Sequence, residues 1–199
     1  MTEPTPAEIA EEYSTVVRDL LGTYLDVTMA SGELAKRYME WDQQRLAELY
    51  KSGGLTPDTF NPTVTYTGGP KEAGSSNHLH TTTLHDLIER NTPGGRNFEF
   101  LGAMFVVVTY QFWEDHYRGL LASALGKAPN ELTHEVFGEL RHLRQSIIHR
   151  RGRAVPEARR ARILRSFEPG EAVRLEYGDV RHIASEVINA AKLLAVTKF

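Results

Sequence analysis

Residues 134–152, HEVFGELRHLRQSIIHRRG, decide how this 199-residue chain is read. Apolar residues recur there with the period of an α-helix, so Val136, Phe137, Leu140, Leu143, Ile147 and Ile148 predict one packing stripe. Arg144 falls inside that stripe. A lone buried guanidinium is costly, so the reading demands a carboxylate, a partner subunit or a bound anion beside it. On the opposite side His142, Gln145 and His149 line up at spacings of three, four and seven. Arg144 and His149 are five positions apart, about 140° beyond a full turn, so their side chains diverge within one chain. A partner chain is the natural remedy.

Upstream, residues 98–124 are the most apolar segment and predict a central buried helix. Its second half opens a polar strip through Gln111, Glu114, Asp115 and Arg118, which makes Glu114 the candidate partner of Arg144. Downstream, residues 153–165 predict a short basic helix near Pro156. Ile163–Phe167 and Val173–Tyr177, joined by the Pro169–Gly170 turn, predict a small β-hairpin. A last amphipathic helix starts near Asp179, a candidate N-cap, and runs through Ile183, Val187, Ile188, Ala191 and Leu194.

Arg144, four intervening residues and His149, followed by Arg150, Arg151 and Gly152, resemble the Arg-x4–6-His motif of HEPN ribonucleases. The stretches FWEDHYR and EPGEAVRLEYGDVRHIASEVI extend the resemblance over residues 98–196. Within the superfamily the chain is similar to stand-alone HEPN proteins of bacterial defence and toxin systems. One departure is Gln145, where the family often carries Asn, Asp or His. The resemblance implies a mainly all-α fold: a HEPN-like antiparallel helical bundle with a long N-terminal helix and the small β-hairpin before the last helix. It also implies a two-fold homodimer whose facing motifs surround one RNA phosphate.

Three regions follow: 1–54, a long N-terminal helix; 55–97, a Gly/Pro-rich connection; and 98–199, the HEPN-like core, all expected in one compact domain. Thr5, Pro6 and Glu8 form a strong helix start. Tyr13, Leu20, Val27, Leu34 and Trp41 then recur every seven residues until Ser52, Gly53 and Gly54, with a bend or break expected near Gly22 or Ser31–Gly32. The connection contains one short helix, about Thr83 to Arg90. Its His78, His80 and His85 have no acidic residue or cysteine among them to complete a metal shell, so solvated loop histidines are expected.

The net charge of −3 hides an asymmetry. Residues 1–50 hold four basic against ten acidic side chains, whereas residues 141–165 hold nine arginines against Glu157 alone. Arginine forks bind phosphate bidentately, so Arg141, Arg150, Arg151, Arg153, Arg159, Arg160 and Arg162 are the candidate RNA contacts. Zero cysteines fit a reducing cytosol, and no signal peptide or membrane-length apolar run is present, so the chain is expected to be cytoplasmic with no membrane partner. No phosphate-binding glycine loop is present, and neither a cofactor nor a metal is expected.

The resemblance implies metal-independent endoribonuclease action, in a toxin–antitoxin or phage-defence setting with an antitoxin or defence partner protein. His149 is the candidate acid/base because imidazole titrates near neutral pH. Arg144 stabilises phosphorane-like charge, with Gln145 beside it and Glu114 and His142 supporting. Two rivals are a catalytically silent module that binds RNA or protein, and a structural helical scaffold.

Overall fold

A computed structural model describes residues 3–67 and 78–196; the middle of the Gly/Pro-rich connection, 68–77, lies outside the described residues. The fold is mainly helical. Helices α1 (Pro6–Ser52) and α2 (Pro57–Phe60) precede strands β1 (Thr63–Thr67) and β2 (His78–Thr83), and α3 (Leu84–Asn91) follows directly. Helix α4 (Arg96–Phe112) passes through a π turn, Trp113–Tyr117, into α5 (Arg118–Ala124). Then come α6 (Glu135–His149) and α7 (Tyr177–Val196), joined by a segment whose only helical part is the 3-10 turn Pro156–Arg160.

Where one domain was expected, the chain packs as two compact units, 1–26 with 99–199, and 27–98. The first is a helical bundle formed by the start of α1, α4, α5, α6 and α7. Its interior is aromatic. Trp113 stacks on Phe137 with centroids 3.8 Å apart and planes 5° from parallel, and Tyr13 packs against both Trp113 and Tyr117. The wider π turn keeps Trp113, Tyr117 and Leu121, spaced by four, on the buried side. Phe137 on Trp113 therefore fixes how α6 lies against α4, which positions Arg144.

The N-terminal capping box forms as expected, with Glu8 accepting from the Thr5 N–H at 2.8 Å and the Thr5 hydroxyl accepting from the Glu8 N–H at 3.3 Å. Helix α1 then runs unbroken past Gly22 and Gly32, where a bend or break was expected. The heptad stripe also changes beyond Tyr24. Val27, Leu34 and Trp41 are exposed, and the neighbouring row Thr28, Ala35 and Asp42 is buried instead. The physical reason is local to the second unit, whose interior accepts small side chains and an ion pair.

In that unit α3 matches expectation, its N-cap Thr83 hydroxyl accepting from the Asp86 N–H. The connection also carries an antiparallel sheet that was not expected, although Thr63–Thr67 alternates polar and apolar residues as a strand does, with Thr63 opposite Thr83 and a register shift after Tyr66.

The hairpin expected over 163–177 does not form. The amide groups of Arg162, Ile163 and Leu164 donate to the Glu139 carboxylate of α6, which takes donors a strand ladder would need. Residues 152–155 pair instead with 170–173: Val173 N–H donates to Gly152 at 2.8 Å and Ala154 N–H to Glu171 at 2.8 Å. Asp179 lies inside the first turn of α7, where it accepts from the Glu176 N–H, so it caps from within the helix.

Candidate nucleic-acid site

Helix α6 is capped by His134, whose ring Nδ1 accepts from the Val136 N–H, and ends at His149. Arg151 follows with a φ of 54° and Gly152 with 76°, and the Gly152 N–H turns back to the carbonyls of Ser146 and Ile147. Arg150 and Arg151 are thereby presented on an ordered turn immediately after His149.

The buried face of α6 comprises Val136, Phe137, Leu140, Leu143 and Ser146. Ile148, expected in the stripe, is exposed. Ser146 takes the inward place because its hydroxyl is fully used: it donates to the His142 carbonyl at 2.7 Å and accepts from the Val155 N–H at 3.0 Å. That bond ties the end of α6 to the segment that follows.

Arg144 is half-buried against α4. Its Nη2 donates to Gln111 Oε1 at 3.2 Å, its guanidinium carbon lies 5.8 Å from the centre of the Tyr110 ring, and its Nε is buried without a partner among the described residues. Gln111 in turn donates to Asp115. Glu114, the expected partner, is engaged elsewhere: it accepts from both Arg118, at 2.9 Å, and the Tyr110 hydroxyl, at 3.2 Å. Residue 114 lies at the π turn, where the altered helical pitch aims it toward Arg118 one turn on. Burial, then the nearby Glu114 charge, raises the Tyr110 hydroxyl above the usual tyrosine range, so it stays a neutral donor.

Arg144 thus keeps its positive charge beside a neutral amide and a phenol ring, with Asp115 reached only through Gln111. Among the described residues no carboxylate neutralises it directly. His149 is exposed at the helix end, and no hydrogen bond joins it to Arg144 within the chain, as the 140° offset requires. Gln145 is half-buried between them in sequence.

Of the arginine block, Arg159 pairs with Glu168 at 3.5 Å and Arg153 donates to the Gly170 carbonyl. Arg141, Arg150, Arg151, Arg160 and Arg162 are exposed and pair with no carboxylate among the described residues. Phe100, Met104 and Phe112 of α4 and Ile148 of α6 are exposed apolar side chains on the two helices that carry Gln111 and Arg144.

The histidines of the connection belong to the second unit. His80 bonds Arg90 at 2.7 Å and His85 lies 3.5 Å from Asp42, while the side chain of His78 is outside the described residues. Among the described residues no three His, Cys, Asp or Glu side chains gather as a metal-binding group. No described helix is long and apolar enough to cross a membrane. Sequence reasoning missed Tyr110 and Gln111 as the groups that hold Arg144; the polar strip containing Gln111 was the available signal. No family model, curated protein or solved structure matches the chain.

Proposed function

We propose that the chain is a metal-independent endoribonuclease of HEPN type. The observation that carries this reading is Arg144, a half-buried cation with no direct carboxylate among the described residues, on the same short helix as an exposed terminal histidine. A charge held ready in that way suits a phosphate, whose transition state gathers negative charge on its oxygens. His149 takes the 2′-hydroxyl proton or protonates the leaving oxygen, and Arg150, Arg151 and the flanking arginines hold the backbone. Gln145 lends a neutral amide beside the reacting phosphate.

The two motif side chains are offset by about 140° on one helix, so the active unit is a homodimer joined over the exposed apolar side chains Phe100, Met104, Phe112 and Ile148, with two arginines and two histidines around one phosphate. The motif's resemblance to stand-alone HEPN proteins is the ground for proposing a toxin–antitoxin or defence setting with a protein partner.

The test is incubation with single-stranded RNA in excess chelator, followed by end-group analysis. Wild type should leave 2′,3′-cyclic phosphate ends, the mark of attack by the 2′-hydroxyl. His149→Ala should lose about 10²–10⁴ in rate with the fold intact. Full activity in His149→Ala, or chelator-sensitive cleavage to 3′-hydroxyl ends, overturns the reading. A second reading, a silent RNA- or protein-binding module, is favoured by the Gln111 and Tyr110 contacts that already occupy Arg144. Binding without cleavage would establish it.

A further inference from the structure

On the side of α6 away from Arg144 lies a cavity of about 370 Å³, within the range of about 300–1,000 Å³ typical of small-ligand sites. Gly138, Leu143, Ala158 and Ala161 give it apolar walls. Its polar groups are His142, Arg160 and Arg162 together with the carboxylates of Glu135 and Glu157. The frame is pinned at two places. Glu139, also in the wall, accepts the amides of Arg162 at 2.6 Å and Leu164 at 2.7 Å, and Ser146 holds the Val155 N–H.

Three features of that cavity point to one kind of ligand. His142 lines the cavity, and its Nδ1 is buried with no partner among the described residues, which leaves the ring with an unmet hydrogen bond there. Arg160 and Arg162 are exposed forks without carboxylate partners among the described residues, suited to phosphate. Glu135 and Glu157 are acceptors beside an apolar floor, which suits a flat ring whose edge carries amino donors.

We infer that the cavity is a nucleotide subsite that takes an amino-bearing base against Gly138 and Ala161, with His142 at the ring edge and Arg160 and Arg162 on the phosphate. Uracil offers carbonyl oxygens where the carboxylates sit and is disfavoured. The inference rests on the proposed function only in reading the arginine block as a phosphate surface; Arg144 and His149 take no part in it.

Gly138 supplies a clean block. It sits inside α6, and a Cβ built there meets nothing within 4 Å, so Gly138→Leu projects into open cavity while favouring the helix. The experiment titrates the full chain with 5′-AMP, 5′-UMP, adenosine, inorganic phosphate and a 2′-O-methyl oligoadenylate, following the His142 ring by NMR. AMP should shift that ring and bind at least about tenfold more tightly than UMP, adenosine or phosphate. Gly138→Leu, with an unchanged or raised melting temperature, and Arg160→Gln/Arg162→Gln should lose the AMP shift. Arg144→Ala and His149→Ala should keep it, so loss of RNA cleavage alone leaves the inference standing.

If the oligonucleotide competes with AMP for the cavity, the natural occupant is a residue of RNA. If AMP binds and the oligonucleotide does not compete, it is a free nucleotide. Equal affinity for AMP and phosphate, AMP binding that survives Gly138→Leu, or no response to AMP or the oligonucleotide overturns the inference, and UMP binding as tightly as AMP overturns the base assignment.

Discussion

The two units bury different chemistry. The unit built from 1–26 and 99–199 packs large apolar groups, among them Trp113, Tyr13, Phe167, Leu140, Leu143 and Ile183. Among the described residues of 27–98 the buried apolar side chains are Ala35, Leu84 and Leu87, and Thr28, Asp42 and Asn91 are buried beside them. There the Asp42 carboxylate accepts from Arg45 at 3.0 Å and faces His85, and Arg45 also donates to the carbonyls of Thr59 and Phe60. Apolar area is non-directional and tolerates adjustment, whereas a polar tie holds one geometry and costs its full desolvation when a partner is lost. The first unit is therefore stabilised by bulk and the second is specified by few, directed bonds.

The largest break should come from Trp113→Ala. It removes the ring stacked on Phe137 at the centre of the aromatic cluster, and a loss of about 4 kcal/mol is expected. Denaturant melts followed by circular dichroism check it. A loss below about 1 kcal/mol would mean that the cluster does not anchor α6.

Asp42→Ala should cost about 3 kcal/mol, because it strands a mostly buried guanidinium. The effect should be regional. Hydrogen exchange should speed in β1, β2 and α3 while the amides of α6 and α7 keep their protection. Equal loss in both regions would contradict the contrast between the units.

Ser146→Ala tests a polar tie inside the apolar unit. It leaves the buried Val155 N–H without its acceptor, for an expected cost of about 1.5 kcal/mol, read from the same melts. An unchanged midpoint would show that the segment after α6 holds itself.

The smallest effect is in pH. Bonds from Thr5 lower Glu8 below the usual carboxylate range, bonds from Lys192 and then Arg18 lower Glu11, and a bond from Thr82 lowers Asp86 in the other unit. A depressed carboxylate stabilises the fold above its unfolded pKa, and that contribution is lost as pH falls through the folded value. Melting temperature should therefore fall modestly on acidification below the ordinary carboxylate range. Glu11→Gln should shrink the part of that fall that salt screens, since its partners are exposed cations.

Local rules within the sequence determined a good deal. The capping box at Thr5 and Glu8, the end of α1 at Ser52, the helix near Thr83 and the extent of α6 and α7 follow from helical period and caps, which act over one or two turns. So did the exposure of His149 and its divergence from Arg144. Tertiary structure decided what distant residues offer one another. It assigned Arg144 to Gln111 and Tyr110 because the π turn aims Glu114 at Arg118. It replaced the expected hairpin with amide bonds to Glu139, and it turned α1 beyond Tyr24 so that Thr28, Ala35 and Asp42 face inward. Each of those outcomes depends on which donors and surfaces chain closure brings together, and periodicity along one segment carries no record of its partner.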